Sequence, residues 1–533
     1  MTSPPPSLLT YISTELSKTF PTEHSRFKLS CIRSQPRRSY ALFPHATNHK
    51  SCKIWQEEVL CLLNVEREAI VDEETKEKDK GKQKQQEEEN STTRTETGEI
   101  KMVKGYVPLC AIEASIYTIP STRTSILYIS KIDTTGLQQQ PSSSSSLSPS
   151  PNKTFISCFI SYHFNYLPHS TIRLRLHIFA KSQPQYLFPG SIENSPPVGK
   201  KVLDDKQLLK WWKSTLTSSI PASTGTRVIK KFYSIAGLNY LESLPYLPST
   251  STSSGDWIYG HPYSTLSSPL HNPSTSSSSK PSDHPITDQI PSFPDDPKSR
   301  FLHSLTSSAL SPSGTEGDYD DVHYNLSHLI FSSGNNPQQR REEIETERER
   351  ERTRLIKSVE EGGVEEWWER LQFRQECCSG VLVGFFVISS EEEEIDIPTE
   401  GRGDGATNAG TSSNNSAPKG YPSSLPHGVF TKLWTQIHNL DYSLKSLNTL
   451  IPAVSKWFSD VERLVKLEIE KEGSTIESGL DETEKFVEIR NRELVEKLRK
   501  EKEDLKRKSE EEEKAGGQAK KVNTLAPRKK KKT

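Results

Sequence analysis

The sequence predicts an α/β fold, a domain with a central mixed sheet flanked by helices and interrupted by long disordered insertions. Three observations predict it. Apolar segments of strand period and of helix period alternate along the chain. Few of these pieces, from residue 8 to about 465, could bury a face alone, so they are expected to share one core. Between them lie polar runs, and only 32% of the 533 residues are hydrophobic, a low share for a globular chain.

Residues 7–70 suggest a helix followed by strands, although "KIWQEEVLCLLNVE" fits either type. "YVPLCAIEASIYTI" and "TSILYISKI" are rich in β-branched and aromatic residues and are expected as strands. In "TFISCFISYHFNYL", Phe155, Phe159, Tyr162 and Tyr166 recur at helical spacing. "STIRLRLHIFA" alternates Ile172, Leu174, Leu176 and Ile178, the period of a strand. A helix over 204–218 follows, with Asp204 or Asp205 as its cap and Leu208, Trp212 and Leu216 along one face. "REEIETERERERTRLIKSVEE" reads as a charged helix, and "EEWWERLQFRQECCSGVLVGFFVI" as a helix running into a buried strand. Two amphipathic helices carry Leu433, Trp434, Ile437 and Leu440, then Trp457, Val461 and Leu464. Residues 470–514 read as a charged helix with a thin apolar stripe.

Net charge is −1, so no global field selects a partner, although the last residues, "PRKKKKT", are strongly basic. The seven cysteines, at 31, 52, 61, 110, 158, 377 and 378, form no C-x-x-C pair. This argues against a disulfide framework or a zinc site. The opening "MTSPPPSLLTYIS" has no basic region followed by an apolar one, so no signal peptide is expected. The apolar run Val381 to Ile388 is too short to span a bilayer. There is no G-x-S-x-G, H-E-x-x-H or P-loop, and "GRGDGATNAG" lacks the strand and helix of a dinucleotide loop.

Three segments carry the chemistry. In "FPDDPKSRFLHSL", proline forces Phe293 and Asp296 into extended backbone. Pro297 suits the first position of a helix and Asp296 its N-cap, with Phe301, Leu302 and Leu305 toward the core. The same rigidity could hold Asp295 and Asp296 beside a cleft, where a carboxylate can orient or deprotonate an amine and Lys298 can neutralise the pair. In "ILYISKIDTTGL", a strand ends in Asp133-Thr134-Thr135-Gly136, a turn suited to a phosphate or an extended cofactor arm. In "QYLFPGSIEN…KKVLDDKQLLKWW", a proline-glycine turn leads to a helix bearing Trp211 and Trp212. Trp212 shares the apolar stripe, and Trp211 lies about 100° away, where it could face a groove.

In this order, "SKIDTTG", "QYLFPGSIEN" with "LDDKQLLKWW", and "FPDDPKSRFLHSL" closely resemble the fungal-specific histone H3 lysine acetyltransferase family, itself structurally akin to the animal CBP-type acetyltransferases. "WWERLQFRQE" and the closing "VNTLAPRKKKK" add to the resemblance. It implies one catalytic domain over residues 8–470, and composition marks insertions within it at about 72–104, 138–151, 248–289, 306–345 and 390–426, which have no counterpart in the resemblance. A charged helix at 471–515 and a basic tail at 516–533 would follow. It implies acetyl-CoA as co-substrate, no metal, and direct attack of the lysine amine in a ternary complex. Asp296 matches the family's catalytic aspartate, Asp295 its neighbour, Lys298 the self-acetylated lysine and Trp212 an active-site tryptophan. Ile132, Asp133, Thr134, Phe179, Tyr186, Lys201, Val202, Leu203 and Trp211 match coenzyme contacts. Lys181 stands where arginine is expected and Lys201 where histidine is expected, both keeping positive charge for the coenzyme phosphates, with Lys153 a further basic candidate. Implied partners are histones H3–H4 and chaperones of the anti-silencing and nucleosome-assembly types, in the nucleus, during chromatin assembly and the DNA-damage response. The competing expectation is a chromatin scaffold with little turnover.

Overall fold

A computed structural model describes residues 6–19, 26–44, 46, 52–71, 101–137, 150–167, 171–194, 199–220, 227–247, 257–271, 284–307, 362–374, 380–392, 416–418, 420–472 and 482–488. The strands are β1 (Arg26–Arg33), β2 (Arg37–Arg38), β3 (Trp55–Val71), β4 (Lys101–Ile119), β5 (Thr124–Thr134), β6 (Arg173–Ala180), β7 (Arg227–Ile235), β8 (Trp257–Tyr259), β9 (Gly384–Glu392) and β10 (Glu484–Glu488). The longer helices are α1 (Leu8–Thr19), α2 (Pro151–Asn165), α3 (Asp205–Ser219), α4 (Pro297–Ser307), α5 (Gly363–Gln372), α6 (His427–His438) and α7 (Leu447–Glu472). The ten strands form one sheet in the order β10-β1-β3-β4-β5-β6-β9-β7-β8, with β2 on β3. It is mixed: β5–β6 and β7–β8 are parallel pairs, the remainder antiparallel.

"KIWQEEVLCLLNVE" resolves as strand because its apolar residues are needed on both sides. Val59, Leu60, Cys61, Leu62 and Leu63 are all buried. Near β6 and β9 the faces are easily told apart. Gly384 meets Leu209 of α3, whereas Phe385, next along the strand, packs with Trp368 of α5. Leu174, Leu176 and Ile178 join the main core, and Arg173, Arg175, His177 and Phe179 point the other way.

Several expectations change. Within 248–289, read as disordered, Trp257–Tyr259 pairs with β7, and Tyr263, Leu266 and Leu270 are buried. Serine and proline there serve turns: Ser268 Oγ accepts the Leu270 N–H at 3.2 Å and donates to the Asp288 carbonyl. The insertion read at 390–426 ends earlier, because Leu425 is fully buried and its N–H donates to the Arg33 carbonyl at 2.9 Å. Lys101 to Lys104 belong to β4 rather than to an insertion. The charged helix expected over 470–514 is not continuous, since Glu484–Glu488 is a strand along β1. Its alternation puts Val487 into the core and Phe486 outward. The charged helix of 340–360, most of the 306–345 stretch and the basic tail lie outside the described residues.

Val487→Asp is expected to cost about 3 kcal/mol, because it places a carboxylate at a buried strand position. A urea-unfolding midpoint unchanged from the parent would contradict the strand assignment, since a solvated helix would tolerate the substitution.

Candidate active site

The Asp-Pro motif folds as its local chemistry dictates. Asp296 caps α4, its Oδ1 accepting the Lys298 backbone N–H at 2.9 Å. Its Oδ2 pairs with the Lys298 ammonium, and both side chains are buried, at 1% and 4% exposure. Phe293 anchors the approach by stacking on Tyr128, 4.1 Å between centroids, while the Tyr128 hydroxyl donates to the Pro294 carbonyl at 3.0 Å. The Lys298 ammonium lies 4.7 Å from the centre of the Phe385 ring, and Phe385 in turn packs against Phe179 at 5.2 Å.

Two buried polar side chains border this pair without a hydrogen-bond partner for their terminal atoms: His177, at both ring nitrogens, and Tyr263, at its hydroxyl. Burial holds His177 well below its ordinary range, reinforced by the charges of Lys298 and Arg175, so the ring is neutral. Burial also pushes the Tyr263 phenol far up, and the Asp296 charge adds to this, so the hydroxyl keeps its proton. Neither residue was among the sequence candidates, because a His and a Tyr far apart in the chain carry no spacing signal.

The end of β5 is built around Asp133. Its Oδ2 accepts backbone N–H groups from Tyr186, Leu187 and Phe188 at 2.7, 2.9 and 3.3 Å. Its Oδ1 accepts the Thr134 N–H at 2.8 Å and the Lys200 ammonium at 2.6 Å. Lys200 also donates to Ser191 Oγ at 3.0 Å, and burial pulls its ammonium below the ordinary value despite Asp133. Gly136 is required beside it. Its φ is +72°, and a Cβ there would fall 2.2 Å from the Lys200 nitrogen. Asn194 completes the clamp, donating to the Thr135 and Tyr442 carbonyls at 2.9 and 2.8 Å and accepting the Leu444 N–H at 2.7 Å.

Asp133 therefore shapes the 186–200 segment, with its oxygens occupied, rather than presenting a free carboxylate to a ligand. In the pair Lys200–Lys201 the inward lysine is Lys200, while the expected Lys201 is exposed beside exposed Val202 and half-buried Leu203. Half-buried Ile132 packs on the main core. Thr134, Lys181 and Tyr186 are half-buried too, and the Tyr186 hydroxyl donates to the Lys181 carbonyl. Lys153 sits apart on α2, where its ammonium donates to Ser214 at 3.3 Å.

α3 starts as predicted: Asp204 accepts the Gln207 N–H at 2.7 Å. Asp205 Oδ2 accepts the Leu382 N–H at 2.7 Å, tying the helix to the entry of β9. Trp211 is half-buried and meets Trp212 edge to face at 5.0 Å. Trp212 belongs to the main core with Leu209. Since Leu209 packs on the Gly384 face and Lys298 on the Phe385 face, Trp212 and Asp296 lie against opposite faces of the sheet. Trp212, which the resemblance matches to an active-site tryptophan, thus packs in the main core on the face away from Asp296. Asp295 is not buried with its neighbour. It adopts φ 60°, a backbone state that Asp tolerates better than most residues, and its side chain is 75% exposed.

A family profile for the histone acetyltransferase KAT11-type domain matches residues 144–514. The chain belongs to that family. The curated "Histone acetyltransferase rtt109" of Aspergillus flavus is 28% identical over 301 residues, covering 51% of this chain and 43% of that protein. The protein of the same name from Schizosaccharomyces pombe is 25% identical over 276 residues, covering 49% and 52%. The chain thus spans about half the length of the curated relatives it matches. The crystal structure of Rtt109 from Aspergillus fumigatus shares the fold, with a TM-score of 0.52, 21% identity and coverage of 85% of this chain and 96% of that one.

The buried His177 predicts an acid sensitivity. Above about pH 6.5 the ring is neutral in both states. Below it, the unfolded chain takes up a proton that the folded chain refuses, so stability falls with pH, by up to about 1.4 kcal/mol per unit. Between pH 7 and pH 5 the parent should lose about 2 kcal/mol more than His177→Gln in urea unfolding. Equal losses would contradict the buried, neutral assignment.

Proposed function

We propose that the chain is an acetyl-CoA-dependent histone lysine acetyltransferase acting on histone H3 presented with H4. The observation that carries this reading is the buried Asp296–Lys298 pair at the start of α4, in a chain with the KAT11-type domain. Its neighbour Asp295 is exposed beside it.

The reaction is direct. A lysine ammonium loses its proton, the amine attacks the thioester carbonyl, a C–N bond forms, the C–S bond breaks, and the second proton shed by the nitrogen leaves with the coenzyme as its thiol. Proton loss comes first because the free amine is the nucleophile. Phe385, Phe293 and Tyr128, with Phe179 against Phe385, pack the inner side of the Asp motif and hold it rigid. Asp296 is already paired with an ammonium and hydrogen-bonded to backbone, so its part is to hold the motif in place. Asp295, open to solvent, is the carboxylate available to an arriving lysine. For acetyl-CoA, Lys181 and Lys201 supply charge for the phosphates. Ile132, Thr134, Tyr186, Val202, Leu203 and Trp211 offer surface for the pantetheine arm, with Phe179 toward the acetyl end. Histone chaperones of the anti-silencing and nucleosome-assembly types would present the substrate, in the nucleus, where chromatin is assembled and repaired.

The test is incubation with labelled acetyl-CoA, H3–H4 and a chaperone. Asp296→Asn should lower kcat/KM about a hundredfold by loosening the motif, with acetyl-CoA affinity retained. The Asp296→Asn/Lys298→Met double variant, which leaves no buried unpaired ammonium, separates lost positioning from lost folding. Equal labelling by parent and Asp296→Asn would remove Asp296 from the reaction.

A further inference from the structure

We infer that Lys131 is a built-in competitor for the basic substrate, a specificity-determining residue that occupies the place beside Asp295 where an arriving ammonium would sit. The inference rests on the acetyltransferase reading and concerns how the acceptor reaches that site.

Lys131 lies near the end of β5, opposite Glu113 of β4 and at a register shift between the two strands. Among the described residues its ammonium has three neighbours. Glu113 Oε1 is at 3.4 Å, Asp295 Oδ2 at 3.9 Å, and the centre of the Trp434 ring at 5.8 Å. Two carboxylates and an indole face are a recognition set for an ammonium ion. Here the chain's own lysine fills it.

The surrounding bonds fix this set in place. Glu113 Oε1 also accepts the Ser130 hydroxyl at 2.8 Å, and Oε2 accepts the Trp434 indole N–H at 2.8 Å. Trp434 stacks on His438 at 4.7 Å, and His438 Nδ1 donates to the Leu187 carbonyl at 3.1 Å. Glu113 is thereby committed to its protein partners. Asp295 is not: apart from the long contact with Lys131, its carboxylate is open to solvent at 75% exposure. The Lys131 side chain is 25% exposed, so it too can be displaced.

The consequence is a charge gate. With Lys131 in place, its ammonium offsets one of the two carboxylates and repels a basic segment approaching Asp295. A substrate rich in positive charge must outcompete it or push it back toward Glu113. The gate should therefore weaken binding of simple lysine peptides more than it slows the chemical step.

The experiment uses the full chain and a fluorescent lysine-rich H3 tail peptide at low ionic strength, with acetyl-transfer kinetics in parallel. Lys131→Met should bind the peptide at least threefold more tightly, and Lys131→Arg should keep the parent affinity. The gain should shrink in high salt and vanish in Lys131→Met/Asp295→Asn. In turnover, the change should fall on KM rather than kcat. Equal or weaker binding by Lys131→Met would overturn the gate, as would a gain that persists without Asp295 or a loss confined to kcat. Lys131→Gln repeats the comparison if the methionine variant misfolds. A parent chain that transfers no label even to H3–H4 presented by a chaperone would defeat the acetyltransferase reading, while the peptide-binding comparison would still decide the gate.

Discussion

One buried carboxylate holds the working end of this molecule together. Three consecutive backbone N–H groups, at Tyr186, Leu187 and Phe188, converge on a single oxygen of Asp133. Such convergence requires a tight bend, which the chain makes at Tyr186 and Leu187, just before the Pro189-Gly190 turn. The other oxygen takes Lys200, so the segment is gripped at two points from the end of one strand. A buried ion pair of this kind adds little net stability, but losing one partner strands the other charge. Its value is in geometry: residues 186–188 and Lys200, remote along the chain from β5, are both held at the end of that strand.

A second buried pair, Asp296–Lys298, does for the Asp-Pro motif what Asp133–Lys200 does for the 186–200 segment. The two pairs differ in what they leave exposed. Asp133 uses both oxygens on the protein, and nothing of it remains for a ligand. Asp296 likewise turns inward, and the left-handed backbone at Asp295 directs that neighbour out to solvent. Adjacent aspartates thus divide the work, one holding the motif and the other facing an approaching substrate. Lys131, Glu113 and Trp434 connect the exposed aspartate to α6, and α6 reaches the 186–188 turn through His438. The two halves of the site are in contact through Lys131, which lies inside the β5 motif, and through Glu113, Trp434 and His438, which lie outside all three motifs.

Much of this was legible in the sequence because local rules decided it. Proline after Asp296 set both the extended backbone and the helix start, and Asp204 capped α3 for the same kind of reason. The strand-end Asp133 was visible as a position, but its role was not, since its partners lie 53 to 67 residues away. Helical period placed Trp212 on a buried stripe without telling which face of the sheet that stripe would cover. Two adjacent lysines gave no hint that Lys200 would turn in and Lys201 out. Where composition stood in for structure, it misled. The Ser/Pro-rich stretch contains β8 and buried aromatic residues, and the charged stretch after α7 contains an edge strand whose buried Val487 alternates with an outward Phe486. In both cases long-range pairing overrode what the local composition favours.

The most direct test of the account is acetyl-CoA binding by calorimetry to Asp133→Asn/Lys200→Met, which removes the clamp and leaves no stranded charge. If these two groups position the 186–200 segment for the coenzyme, affinity should fall at least tenfold while the unfolding midpoint changes little. Affinity equal to that of the parent would contradict the claim that this buried pair organises the site.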